Sequence, residues 1–366
     1  MEGFRFQSSV RVSQARNGRQ AWRYIARQVL WTASVIALVG TATAKAQEQS
    51  IADFYQGKTV SIVCGSAVGA SYDLVARVVA KHLSKHIPGH PNVIVQNRPG
   101  AASVVAANYV YTSAPKDGTV IALVQRSMPF QQLIEAPSVR YDATKMNWIG
   151  STAKETAVVV VWHTAPQQTF KDLLTQETIV GSVGAAGDTD LYPRMLNNLL
   201  KTKFKIVSGY TGLADIILAM ERNEVHGVAY WSWSDIELVR TDWLQEKKIR
   251  TLLQISLTKN DSPYLRDVPF IMDLVTDQAS RDVLKVLMSA LELGRPFFVA
   301  PEVPQERVNA LRDAFMKTMQ DPAFIEDAKK TIGLPSPVAG AVMQKMISDS
   351  YALPATVIGN LRKAVK

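Results

Sequence analysis

Cysteine is nearly missing from this chain: Cys64 is the only one, so no disulfide can form within it. The short signatures of the common chemistries are missing too. The sequence holds no GxSxG nucleophile elbow, no P-loop lysine, no GxGxxG fingerprint and no HExxH pair. Gly65 to Gly69 comes nearest to a nucleotide loop, but its glycine spacing does not fit that fingerprint. Histidine is scarce, with His82, His86, His90, His163 and His226 the full set. His82 and His86 stand four apart, a spacing that suits a metal ion on one helix face. No carboxylate accompanies them, and Pro88 separates His90 from that helix. The sequence therefore offers no metal site, no cofactor loop and no visible catalytic group. Cys64 lies in an apolar run without a neighbouring base and reads as a buried, inert thiol.

A surplus of one charge is absent as well once the N-terminus is set apart. The formal net charge is +9, but seven basic residues against Glu2 give residues 1–46 six of those nine. The remaining +3 gives no reason to expect a nucleic-acid partner. Those basic residues lead into Val29–Gly40, an apolar run followed by Ala44-Lys-Ala46. This is the pattern of a secretory signal, with processing expected after Ala46 and a periplasmic location. The alternative is an uncleaved membrane anchor, for which the run falls short of the ~20 residues a span needs. No later stretch is long and apolar enough to cross a bilayer. An exported chain without disulfides suits a bacterial periplasm.

What the chain does have is hydrophobic material for two cores, 47% of 366 residues. Lys58 to Arg77 sets the pattern. Val60, Ile62 and Val63 read as a buried strand, Gly65 to Ser71 as a tight loop, and Leu74, Val75, Val78 and Val79 fall at helical spacing. Asp73, or a residue just before it, is expected to cap that helix. A strand, a small-residue loop and a helix start present free N–H groups, and the helix dipole favours an anion there. We read that anion as a carboxylate.

The rhythm continues with strands at Val93–Val95 and Thr119–Val124 and a small-residue helix over Ala101–Tyr111, the pattern of a parallel sheet. The third strand runs into Gln125-Arg-Ser-Met128, where ligands gather in open α/β sheets. There Ser127 could donate a hydrogen bond, and Arg126 is either a partner for an acid or a solvated side chain. After a passage near Ser151, the strand Ile179–Val183 and the loop Gly184-Ala-Ala-Gly-Asp-Thr-Asp190 repeat the opening device. Val225–Tyr230 ends in Trp231-Ser-Trp233, aromatics that serve either ligand stacking or interdomain packing. Ile249–Ser256 should cross back to the first half. Surface helices over Glu306–Met319 and Phe324–Thr331 should wrap onto that half, and a final helix is expected over Gly340–Tyr351.

The expected fold is α/β with two lobes, each a mostly parallel sheet flanked by helices, joined by crossover strands. Residues 47–151 and 257–366 form one lobe and 152–256 the other. The candidate ligand-binding residues of the first wall are Ser66, Val68, Gly69, Ala70, Ser71, Tyr72 and Asp73, with Ser127 and Met128 nearby. Those of the second are Ser182, Gly184, Ala185, Ala186, Gly187 and Asp188, joined by Tyr210, Trp231 and Ser232. Micromolar binding corresponds to about −8.2 kcal/mol. Four or five hydrogen bonds to a charged group at roughly 1.5–3 kcal/mol each would reach it without an arginine clamp.

With these residues in view, the chain resembles the substrate-binding receptors of tripartite tricarboxylate transporters, the TctC or Bug family. Gly69-Ala-Ser-Tyr-Asp-Leu-Val-Ala-Arg77 is similar to that family's GGG-(T/S/Y)-D-x-x-A-R segment. Asn97-Arg-Pro-Gly-Ala101 and Pro115-Lys-Asp-Gly118 match its NRPGA and PDG turns, and Gly181-Ser-Val-Gly184 its second loop. Tyr210-Thr-Gly212, Asp267-Val-Pro269 and Ala300-Pro301 follow in the family's order. The resemblance implies a monomeric periplasmic binding protein of the flytrap type. It would close on a small organic acid, a di- or tricarboxylate or an aromatic carboxylate, and deliver it to the membrane subunits of a tripartite transporter. Three departures stand out. Ala70 and Ser71 replace two glycines, Tyr72 stands where threonine or serine is common, and Asp188 lies where a hydroxyl is expected. The expectation for Asp188 is that it turns away to cap its own helix. Two other readings use the same cleft: an exported hydrolase built on Ser127, Ser182 and the histidines, and a ligand-sensing partner of a signalling protein.

Overall fold

The computed structural model describes residues 50–366 apart from Pro137, Ala185 and Ala186. The expected signal segment and its cleavage site after Ala46 lie outside the described residues. In chain order the strands are β1 (Thr59–Cys64), β2 (Asn92–Asn97), β3 (Val120–Leu123) and β4 (Asn147–Ser151). Then come β5 (Ala157–Trp162), β6 (Thr178–Ser182), β7 (Phe204–Ser208), β8 (Gly227–Ser232) and β9 (Ile249–Ile255). Two short strands follow, β10 (Pro296–Val299) and β11 (Val338–Ala339). They form two sheets, ordered β11-β4-β10-β3-β1-β2 and β7-β6-β8-β5-β9.

The two-lobed α/β expectation holds, with one correction: both sheets are mixed rather than mostly parallel. β1 runs parallel to β2 and β3, as the strand–helix–strand rhythm requires. β10 then enters antiparallel to β3 and β4, and β11 antiparallel to β4. In the second sheet β6 is parallel to β7 and β8, while β5 is antiparallel to β8 and β9. Of the antiparallel strands, β5 and β10 are the first that the chain forms after each change of sheet.

Side-chain alternation explains why these segments are strands. In β5, Val159 and Val161 face one hydrophobic cluster, and Val158 and Val160 face another. In β1, Val63 faces one side, with Val60, Ile62 and Cys64 on the other. A period of two with both faces apolar marks a strand covered by helices on both sides.

The passage from the first sheet to the second runs from Ser151 to Ala157. Ile249–Ile255, the strand expected to cross back, pairs with β5 inside the second sheet. The chain regains the first sheet at β10, after the Gln278–Leu293 helix. The two passages are stitched together. Arg295 N donates to Ser151 Oγ (2.8 Å) and Glu155 N to Leu291 O (3.0 Å). A final helix, Ala355–Val365, was not anticipated from the sequence. It packs on the Gln278–Leu293 and Asp188–Leu200 helices, and Arg362 Nε caps the Leu133 carbonyl (2.8 Å).

Gly294 is the tightest point of the double passage. Its φ is +53°, and a Cβ there would sit 1.5 Å from the Ala153 carbonyl oxygen. Gly294→Ala is expected to lower stability by about 2–3 kcal/mol, combining left-handed backbone with overpacking. Urea unfolding at pH 7 checks this; an unchanged midpoint would show that the passage yields freely.

Candidate functional site

A cleft of about 360 Å³ opens where the carboxyl ends of the parallel strands of both sheets meet. Gly65, Ser66 and Ala67 follow β1, Gln125 and Arg126 follow β3, and Val183, Asp188 and Thr189 follow β6. Thr211 to Leu213 follow β7, and Tyr230 and Ser232 end β8.

The opening motif is shaped by Asp73. The helix spans Ser71–Leu83 with Ala70 at its N-cap and no side-chain cap. Asp73, two residues into the helix, instead reaches back. Its carboxylate accepts from Gly69 N (2.8 Å), Asn97 Nδ2 (2.8 Å) and Arg77 Nε (2.9 Å). Asn97 Nδ2 also donates to Ser66 O (2.9 Å), which fixes the loop against β2. Burial alone would push the Asp73 carboxyl up, but the bonds from Arg77, Gly69 and Asn97 outweigh it and hold it below the usual range. Asp73 is thus a scaffold residue, not part of the cleft wall. Gly69 takes φ +80° at the turn, and the exposed Val68 points outward. Neither is part of the wall, whereas Ser66, Ala70, Ser71 and Tyr72 are.

The ring of open amides expected on the two loops is largely closed. Gly69 N is bound by Asp73 and Ala70 N by Ala67 O (3.2 Å). In the second loop Val183 N donates to Thr189 Oγ1 (3.0 Å), Gly184 N to Ser182 Oγ (3.0 Å) and Gly187 N to Gly184 O (3.3 Å). The first-turn amides of Ser71 and Tyr72 remain, since a helix start leaves them without an intrahelical partner. Ala185 and Ala186 lie outside the described residues. Trp231 is buried against Trp243 in the second core rather than facing a ligand, and Tyr210 packs on the same cluster. Met128 is buried, its carbonyl accepting from Tyr141 OH (2.6 Å). Ser127 faces a separate cavity of about 20 Å³ that it shares with Asp188.

Two buried arginines hold the floor. Arg126 is 3% exposed. Its Nε donates to Tyr72 OH (3.2 Å) and its Nη2 to Ser232 Oγ (3.2 Å), while Asp188 Oδ2 stands 3.7 Å from Nε. Tyr72 OH in turn donates to Gly294 O (3.3 Å) at the passage between sheets. Asp188 does not cap its helix; Gly187 occupies the N-cap and no side chain caps there. Burial pushes the Asp188 carboxyl up, opposed first by Arg126 and then by the Ser127 and Tyr230 hydroxyls. Among the described residues, Arg126 Nη1 is buried without a hydrogen-bond partner, whereas the Tyr230 and Ser127 hydroxyls lie against the Asp188 carboxylate. Arg295 differs: its guanidinium is engaged by Ser71 Oγ, Asp235 Oδ1 (3.0 Å) and Glu155 Oε1 (3.2 Å).

Several wall residues escaped the sequence reading. Arg295, Asp235 and Tyr230 carry no motif of their own, although an arginine directly before the apolar run of β10 is a usable sign of a buried cation; Thr211 lies within the Tyr210-Thr-Gly212 motif, of which the sequence singles out only Tyr210. The Asn97–Ala101 motif was seen as a turn, yet Gly100 to Ser103 form part of the wall. Gly100, Ala101, Ala102 and Ser103 all have positive φ, and Ser103 Oγ pins them by donating to Gly65 O (3.0 Å). None of the five histidines lines the cleft; the buried His82 and half-buried His86 pair with Asp327 and Asp321 in the first lobe.

Asp73→Asn is expected to lose about 2–3 kcal/mol at pH 7, because buried donors lose their charged acceptor. The wild-type increment is present above the unfolded carboxyl pKa of about 3.9 and is lost as pH falls through the depressed native value. The gap between the two proteins should therefore shrink below pH ~4. Denaturant unfolding at pH 7 and pH 3 measures it; a gap as wide at pH 3 would exclude a charge-based role.

Comparison with known proteins gives a consistent picture. The family model of the tripartite tricarboxylate transporter family receptor matches residues 75–361. A UPF0065 protein encoded in the gbd 5′ region of Cupriavidus necator is 28% identical over 319 residues, covering 85% of this chain and 88% of that one. Among solved structures, the periplasmic binding protein BugD superposes with TM-score 0.65 at 18% identity, covering 85% of this chain and 99% of that chain. MatC from Rhodopseudomonas palustris, with bound malate, gives 0.64 at 16%, covering 84% and 99%. At these identities the structural likeness is one of fold.

Proposed function

The chain belongs to the tripartite tricarboxylate transporter receptor family, and from that premise we propose that its cleft captures a small organic carboxylate for the membrane subunits of such a transporter. Proteins of this family are periplasmic binding proteins, and no helix among the described residues is long and apolar enough to cross a membrane. Export with processing after Ala46, and action as a monomer, complete the proposal.

The observation that carries the reading is Arg126. A guanidinium buried in a cleft of about 360 Å³, with Nη1 unpartnered, is a strong receptor for one end of a carboxylate. The first-turn amides of Ser71 and Tyr72, at the positive end of their helix, face the same cleft. The volume falls in the range of small-molecule sites. The malate held by MatC is of the same chemical class.

Closure follows from the same contacts. Arg126, on the loop after β3, touches Ser232 and Asp188 on the second lobe, and Ser71 Oγ lies 3.5 Å from Asp235 Oδ1. A ligand that reinforces these bridges favours the closed arrangement by its differential affinity. We place the hinge at the stitched passages near Ser151 and Gly294. The proposal treats the protein as non-catalytic. A hydrolase would need a base beside Ser127 or Ser182, the lining residues include no histidine, and the Ser182 hydroxyl is engaged by the Gly184 amide.

Calorimetry against mono-, di-, tri- and aromatic carboxylates should find at least one micromolar ligand. Arg126→Lys keeps the charge but loses the fork, and should weaken that ligand about 10- to 100-fold, equivalent to about 1.5–3 kcal/mol. The melting temperature serves as the control for folding. Undiminished affinity in Arg126→Lys and Arg126→Met would remove Arg126 from the site.

A further inference from the structure

We propose that the Ala355–Val365 helix is a releasable strap: docked, it holds the two lobes in the closed arrangement, and its release is the step that opens the cleft. The inference takes the passages near Ser151 and Gly294 as the hinge and holds whatever the cleft binds.

Beyond the two stitched passages, the chain crosses between the sheets a third time. The Gly340–Tyr351 helix packs on β4 of the first sheet, whereas the Ala355–Val365 helix packs on the Asp188–Leu200 helix, which lies on β7 and β8 of the second. Its last turns make attachments to both sides. Arg362 Nε donates to Leu133 O (2.8 Å), and Arg362 Nη1 lies 2.8 Å from Glu135 Oε1, both on the segment after β3. From the other side, Asn198 Nδ2 donates to Ala364 O (2.9 Å) and Lys363 O (3.3 Å). The final carbonyls of a helix have no intrahelical partner, so Asn198 supplies one for as long as the second lobe keeps this position. Between these attachments Leu361 is fully buried and closes a cavity of about 20 Å³. Phe130 and Ile134 after β3 line one side of that cavity, and Leu191 and Tyr192 line the other.

This hold is of a kind that can be let go. Of the eleven residues in the helix only Leu361 and Ala364 are buried, and its N-cap, Pro354, makes no side-chain bond. A helix of this length is marginal in water by itself, so it owes its structure to docking. It therefore belongs to the part of the molecule that opens at the lowest cost. The packing beneath it is incomplete, since the cavity has room for about one water. Across the same gap Tyr192 OH donates to Leu287 O through a long hydrogen bond of 3.4 Å. The effect reaches the cleft through Asp188, the first residue of the helix that the strap grips, which lines both the cavity and the cleft. With the strap undocked, the Asp188–Leu200 helix is free to move with its own sheet and to carry Asp188 away from Arg126.

The test measures the distance between the lobes in the full chain without ligand. Spin labels go on Ile94→Cys and Val207→Cys, exposed positions on the outer strands of the two sheets, while the native Cys64 is buried and takes no label. Double electron–electron resonance should show mainly the shorter, closed distance in the labelled parent. Leu361→Ala, Asn198→Ala and Arg362→Ala should each raise the ratio of open to closed molecules at least fivefold, with melting curves reporting that the fold is kept. Should Leu361→Ala fail to fold, the two polar variants decide. Hydrogen exchange on the unmutated protein adds a reading that no substitution disturbs: the amides of Leu361–Val365 should exchange at least tenfold faster than those of Met343–Ile347. A parent already open overturns the inference, as does a helix that exchanges no faster than Met343–Ile347. It is equally overturned if the variants speed exchange in the helix and leave the distances unchanged. None of these outcomes bears on Arg126 as the carboxylate receptor, which calorimetry decides separately.

Discussion

A guanidinium buried between two sheets is the constraint on which the rest of this cleft depends. Arg126 leaves water only because Tyr72 and Ser232 take two of its donors and Asp188 supplies a nearby charge. Its neighbours come from both lobes, so the chemistry of the site and its degree of closure are not independent. Tyr72 makes the link explicit, because one hydroxyl accepts from Arg126 Nε and donates to Gly294 O at the passage between sheets. A shift of one lobe against the other must therefore alter the surroundings of the charge that would hold the ligand.

A second network keeps the walls in place. Asp73 gathers Gly69, Arg77 and Asn97 around one carboxylate, and Ser103 ties the Gly100–Ser103 turn to β1. This explains how the loop tolerates the loss of two glycines. Only Gly69 has a left-handed backbone; Ala70 is extended, with φ −73° and ψ 161°, and Ser71 is already helical. Alanine and serine adopt those conformations without strain. The substituted positions gain side chains, and Ser71 uses its hydroxyl to meet Arg295 and Asp235.

The architecture was legible because it rests on local periodicity. β1 and β5 are short β-branched apolar runs that read directly as buried strands, and the strand–loop–helix device occurs twice. Sheet polarity was less so, since β10 and β11 are short strands whose direction is set by where the chain re-enters the first sheet. The Ala355–Val365 helix was missed because its apolar face finds its partners on helices far away in sequence. The site was only partly readable. Position at a strand's carboxyl end drew attention to Ser66, Ser71, Tyr72, Asp188 and Ser232, all of which line the cleft. The state of a backbone amide, however, depends on which acceptor folds back onto it, and no pattern announces that Asp73 takes Gly69 N. Arg126 presented two possible fates in sequence, and only the packing of Tyr72, Tyr230 and Asp188 around it selects the buried one.

The departures from the family pattern noted in the sequence turn out to be one feature. Tyr72 stands on the first lobe where a smaller hydroxyl is common, and Asp188 on the second where a hydroxyl is expected. The family match itself begins at residue 75, just beyond the first of these. In three dimensions both meet the same guanidinium, Tyr72 by a hydrogen bond and Asp188 by charge. Asp188 without Arg126 would be an isolated buried anion, while Arg126 draws its counter-charge from Glu155 as well as Asp188. Together Arg126 and Asp188 place a cationic donor and an acidic group at one point of the cleft.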